Sequence, residues 1–187
     1  VPEFLKEQAV RINDQVLALT GKNGKPLRAG TTMVTVVADG GKLYWLSIGD
    51  SRIYPIRGEE MSQVNREHNY RLTLQESLRS GRITQEQYEA EEKRGRADAL
   101  ISYLGISQLN LMDTNRAPLE MMDGHMVLLC SDGLFKSLND SQIKALVRDN
   151  DIDMDIAADR LCQMALSKRR GGQDNTSVLL LQYHKTE

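Results

Sequence analysis

Cysteine is scarce in this chain: Cys130 and Cys162 are the whole supply among 187 residues. Two isolated cysteines offer no disulfide framework, and with three scattered histidines they offer no zinc-ligand spacing. Both thiols read instead as reduced core residues of a cytoplasmic protein. No apolar run approaches the length of a membrane span, and no signal-peptide pattern is read. Neither sign of charge dominates: 24 basic against 26 acidic side chains leave a net charge of -2, no reason to expect nucleic acid or an acidic membrane as partner. A glycine-rich nucleotide loop of the expected form is also missing. What remains, 40% hydrophobic and 27% charged, is ordinary usage for one globular domain. The chain opens at Val1 without an initiator Met and enters a helical pattern almost at once, so it reads as an excised piece of something longer.

Periodicity predicts the elements. Leu5, Val10, Ile12, Val16, Leu17 and Leu19 recur at helical spacing before Gly21. Residues 31–38 are β-branched and apolar, Asp39-Gly40-Gly41 signals a hairpin, and 42–48 return as a strand. Strands around 53–56 and 61–64 follow, giving an antiparallel meander. From Arg66 the character changes: 73–95 is charged and helix-prone, Gly81 splits it, and Ile83-Thr84 starts the second piece, so 66–104 reads as a flap inserted in a single domain spanning 1–187. Residues 111–117 and 126–130 read as strands joined through Asp123-Gly124. Two helices follow: one within 137–150, opened by Asn139 or Asp140 with Ile143, Leu146 and Val147 inward, the other over 152–167, burying Ile156, Leu161, Met164 and Ala165. A basic loop over 168–172 leads to a last strand over 176–181. The order predicts an α+β fold with largely antiparallel sheets.

The chemistry concentrates where strands end. Met126-Val127-Leu128-Leu129-Cys130 reads as a strand buried on both faces, and it stops at Ser131-Asp132-Gly133. A carboxylate there needs a charged partner or a turn role. Gln173-Asp174-Asn175 stands at the start of the last strand, and Gly49-Asp50-Ser51 between two earlier ones. Carboxylates from several elements are the donors that Mg²⁺ or Mn²⁺ selects.

Taken in order, Gly30-Thr31-Thr32, Gly49-Asp50-Ser51-Arg52, Ser131-Asp132-Gly133-Leu134 and Asp174-Asn175-Thr176 closely resemble the metal-dependent, type 2C protein serine/threonine phosphatase family. Ser80-Gly81-Arg82-Ile83-Thr84 in the flap is similar to its bacterial branch. The resemblance runs from the first helix to the last strand. It implies a sandwich of two antiparallel β-sheets flanked by helices, with two metal ions about 3.5–4 Å apart activating a water for in-line attack on phosphorus. It implies that Asp132 and Asp174 ligate one core Mn²⁺ or Mg²⁺, and that Asp50 with Asp132 serves a looser third ion. Arg52 would position its turn rather than touch substrate. Phosphoproteins would be the substrates, with a serine/threonine kinase as functional counterpart.

The departures set further expectations. The early family segment that carries the metal-bridging Asp and the phosphate-binding Arg is not found before Leu5. Asp39-Gly40 and Asp123-Gly124 look like substitutes but read as turns. Lys136 stands where many relatives have an acidic residue, against a third metal. Glu67-His68 stands where relatives often carry Asp-His; a general-acid role is open to His68, and the structural reading is favoured. With two firm ligands the chain is expected to be inactive or weak alone, although descended from an active parent. A catalytically inactive, regulatory or protein-binding domain is the alternative. Open sheet edges would favour dimerisation.

Overall fold

Gly40 and Gly41 adopt φ values of +54° and +75°, the mirror-image backbone that a two-residue hairpin turn requires. The computed structural model to which they belong describes residues 1–148, 153–168 and 174–185. In chain order its elements begin with α1 (Pro2–Leu17), β1 (Met33–Asp39), β2 (Lys42–Ile48), β3 (Arg52–Arg57) and β4 (Glu60–Met61). Two helices follow, α2 (Tyr70–Arg79) and α3 (Gln85–Lys93), then β5 (Asp113–Thr114), β6 (Leu119–Glu120) and β7 (Met126–Cys130). The last are α4 (Asp132–Phe135), α5 (Asp140–Val147), α6 (Met154–Ser167) and β8 (Val178–Gln182).

The strands form two antiparallel sheets. In one, β1 and β2 pair along their length and β5 and β6 pair with β2; the other runs β4-β3-β7-β8. Alternation along the strands decides what each face meets. Leu43 and Trp45 of β2 face Ile53 of β3 and Val127 and Leu129 of β7 across the sandwich. Leu46 and Ile48 point the other way, onto Leu5 and Ala9 of α1. Tyr54, Ile56, Leu128 and Cys130 cover the outer face of the second sheet beneath Leu134, Ile143, Leu161 and Ala165 of the later helices. Helices thus flank both sheets, as the resemblance implied. Cys130 sits in that core, where burial pushes its thiol up to about 12 and leaves it unreactive.

Several local expectations need correction. The strands after β2 do not continue a meander, because Gly49–Ser51 carries the chain across to the second sheet. Residues 111–117 are not one strand: Asn115 accepts the Trp45 N–H at 3.0 Å and donates to the Leu43 carbonyl at 3.0 Å, so its side chain replaces the ladder between β5 and β6. The last strand, expected over 176–181, is β8 at the edge of its sheet, with Leu179 52% exposed. On α1 the inward residues are Leu5, Ala9 and Asn13, while Val10 and Leu17 face out; on α6 Ile156 faces out and Ala157 in.

Other expectations hold. Thr84 opens α3 and Asn139 opens α5, each with a reciprocal capping box, and Gly81 breaks the pair α2–α3 at φ +69°. Asp39-Gly40 and Asp123-Gly124 are both turns. Residues 150 and 152, and the basic loop after Lys168 with Arg169 and Arg170, lie outside the described residues. No described helix is long and apolar enough to cross a membrane.

Candidate metal centre

Strand register brings the four sequence motifs to one end of the sandwich. Cys130 pairs with Val178, so the residues after β7 meet those before β8. Arg52 pairs with Cys130, so the residues before β3 arrive at the same edge. Met33 pairs with Ile48, which adds the residues before β1 from the opposite sheet. Asp50, Asp132, Asp174 and the segment Gly30-Thr31-Thr32 consequently line one open cleft of about 670 Å³, with Ser51, Tyr103 and Ser177.

Short polar contacts fix the loops. Ser131 Oγ accepts the Ser177 N–H at 2.9 Å and donates to the Asn175 carbonyl at 3.2 Å, clasping the Asp132 and Asp174 segments together. Thr32 and Ser51 share a hydroxyl contact of 2.9 Å between the sheets. Thr31 is bridged to Leu104, whose N–H it accepts at 2.8 Å. Asp132 forms the first turn of α4 after the N-cap Ser131. The turn reading and the ligand reading of Asp132 are therefore compatible. Asp174 is exposed and accepts the N–H of Asn175 at 2.8 Å.

The electrostatics of the three carboxylates differ. Burial lifts the Asp50 carboxyl above its ordinary value; Asp132 raises it further and Lys136 pulls it down. Lys136 Nζ lies 2.7 Å from Asp132 Oδ2, one helical turn along from it. Burial alone would lower the Lys136 ammonium, but the hydrogen bond and charge of Asp132, with Asp50 and Asp98, outweigh it. Among the described residues, no group of three or more Asp, Glu, His or Cys side chains is gathered tightly enough to hold an ion by itself.

Support comes from residues that their types alone do not mark. Asn65 is buried; its Oδ1 accepts the Ile53 N–H at 2.8 Å and its Nδ2 donates to the Ser51 carbonyl at 2.8 Å and to Ser47 Oγ at 3.1 Å. Its place directly after the strand expected over 61–64 is the available signal. His68 is 2% exposed, accepts the Gly49 N–H at Nδ1 (3.2 Å) and returns its own N–H to the Gly49 carbonyl (2.8 Å). It braces the Asp50 loop, a structural role. Arg52 is held by Glu67 at 2.6 Å and by the Tyr54 hydroxyl at 3.0 Å, and lies 3.5 Å over the Phe135 ring. Those three partners keep its guanidinium beside the turn.

No family model matches the chain. Over 178 residues it is 28% identical to protein phosphatase PhpP of Streptococcus pneumoniae, a match covering 95% of this chain and 68% of that protein. It is 29% identical over 175 residues to serine/threonine protein phosphatase PstP of Mycobacterium tuberculosis, covering 93% of this chain and 32% of PstP. The chain is similar in sequence and in fold to bacterial serine/threonine protein phosphatases. The solved catalytic domain of PstP in complex with two manganese ions superposes with a TM-score of 0.65 at 27% identity, covering 95% of this chain and 67% of that one. The type 2C reading of the motifs and the sandwich architecture agree with these relatives.

Proposed function

We propose that this chain is part of a single type 2C phosphatase domain, with residues 66–104 as its flap, and that the parent protein hydrolyses phosphoserine and phosphothreonine in protein substrates using Mn²⁺ or Mg²⁺. The observation that carries the reading is the convergence of Asp50, Asp132 and Asp174 on one cleft through strand register.

The donor set fits the ion. Carboxylate oxygens from separate elements, without thiolates or a histidine cluster, suit a hard divalent cation. Asp132 and Asp174 are the residues proposed to hold it. When bound, such an ion supplies positive charge to phosphoryl oxygens and activates water as nucleophile. The chain's own contribution is positional: Ser131 clasps the two Asp-bearing segments, Asn65 and His68 fix the Asp50 loop, and Thr31, Thr32 and Tyr103 wall the cleft. Two carboxylates make a thin coordination set, so the isolated chain is proposed to bind the ion weakly and turn over slowly. A serine/threonine kinase that supplies the phosphoprotein is the expected counterpart.

The test is hydrolysis of p-nitrophenyl phosphate and of a phosphothreonine peptide, with Mn²⁺, Mg²⁺ or chelator, by this chain and by the longest product of its gene. Metal-dependent activity of the longer product that Asp132→Ala abolishes supports the reading. Absence of metal-dependent activity in both would move it to the inactive, partner-binding alternative.

A further inference from the structure

The fourth residue after Asp132 is a lysine, and its ammonium reaches back to the carboxylate. Lys136 Nζ and Asp132 Oδ2 are 2.7 Å apart. The i,i+4 spacing on the α4 turn makes this contact local and inexpensive in chain entropy. Lys136 also lines a neighbouring cleft of about 230 Å³ with Asp50, Asp98, Glu67 and Arg71. Three carboxylates and three cations line it, Arg52 being the third cation, and Arg52 is taken up by Glu67. Arg71 is engaged by Glu92 and, at 2.7 Å, by Asp98, so it is Lys136 that answers the charges of Asp50 and Asp132.

We propose that Lys136 stands in for a divalent cation on the Asp50 side of Asp132, so that this protein binds no ion between these two carboxylates. The inference deepens the proposed metal site and rests on it for its setting. An ammonium with three donors satisfies one oxygen of Asp132 and compensates Asp50. A dication on the same side would have to displace that ammonium or accept a like charge at contact distance. The ammonium holds Oδ2, and Asp132 also lines the cleft shared with Asp174. Lys136 is thus a positioning residue: it orients the carboxylate.

Counting bound Mn²⁺ per chain, from the loss of the free-ion signal in electron paramagnetic resonance, tests this without reference to turnover. Asp50→Asn leaves the count of the otherwise unaltered protein unchanged. Lys136→Asp gains one ion per chain, and Lys136→Asp with Asp50→Asn loses it again. Circular dichroism checks that each variant folds. Should Lys136→Asp not fold, Lys136→Gln removes the charge at similar length and is read in the same way. The proposal is overturned if Asp50→Asn lowers the count in the otherwise unaltered protein, or if a folded Lys136 variant gains no ion. Because the readout is a difference, an unaltered chain that binds no Mn²⁺ would refute the Asp132–Asp174 site in this chain, leaving the parent's activity to its own test, while the Lys136 arm is still read.

Discussion

A Cβ atom on Gly133 would lie 2.4 Å from the Asn175 carbonyl oxygen and 2.7 Å from Thr176 Oγ1. The residue after Asp132 therefore has to be glycine for the α4 turn to rest against the segment that bears Asp174. The constraint is contact rather than backbone angle, since Gly133 is not among the positive-φ glycines.

Gly133→Ala forces the two segments apart. Overpacking against backbone costs about 1–3 kcal/mol, a Tm loss of several degrees in a domain of this size. Thermal melting measures that loss, and a Mn²⁺ titration of the still-folded variant is expected to show weaker binding. A melt and titration matching the unaltered protein would refute the contact.

Asn65→Ala leaves the Ile53 N–H and the Ser51 carbonyl buried without their partner. Each such group costs on the order of 1–3 kcal/mol, so the variant should unfold at clearly lower denaturant with an unchanged slope. A midpoint within error of the unaltered protein would show that Asn65 is dispensable.

Burial holds His68 below its ordinary pKa of 6.5, with Asp113 opposing and Arg66 adding to the effect. Its Nδ1 accepts the Gly49 N–H, so protonation breaks that bond. The sign follows: the unfolded chain binds the proton more readily, so the stability His68 provides is complete above about pH 6.5 and declines as pH falls below it. His68→Gln removes this dependence. The Tm gap between the two proteins should be widest near pH 7.5 and narrow towards pH 5.5; a constant gap would contradict the buried, neutral imidazole.

Both sheets end in edge strands near the cleft, β1 in one and β8 in the other, and Leu179 on β8 is half exposed. Open edges with apolar side chains favour strand addition. Gel filtration across a concentration series is expected to show self-association. A clean monomer throughout would count against it.

Much of this arrangement is legible in the residues. Asp39-Gly40-Gly41 announces its hairpin, Thr84 and Asn139 announce their helices, and the Asp-bearing turns stand at the ends of apolar runs. The crossing at Gly49 is not legible, because strand, turn and strand look the same whether the second strand pairs or departs. What decides it is distant: a Cβ on Gly49 would meet Thr32 Cγ2 at 2.4 Å, and His68 holds the Gly49 backbone. The faces of α1 and α6 mislead because small Ala9 and Ala157 take the buried positions and leave Val10 and Ile156 outside. Lys136 shows as a departure from the family pattern, but only the folded α4 turn shows that it is paired to Asp132.

The central claim is that Asp132 and Asp174 share an ion. Crystals grown with Mn²⁺ and measured at the manganese absorption edge locate it directly. The account predicts an anomalous peak in the cleft between these two carboxylates, on the side away from Lys136, and its loss in Asp174→Ala. A peak on the Lys136 side, or one that persists without Asp174, would contradict it.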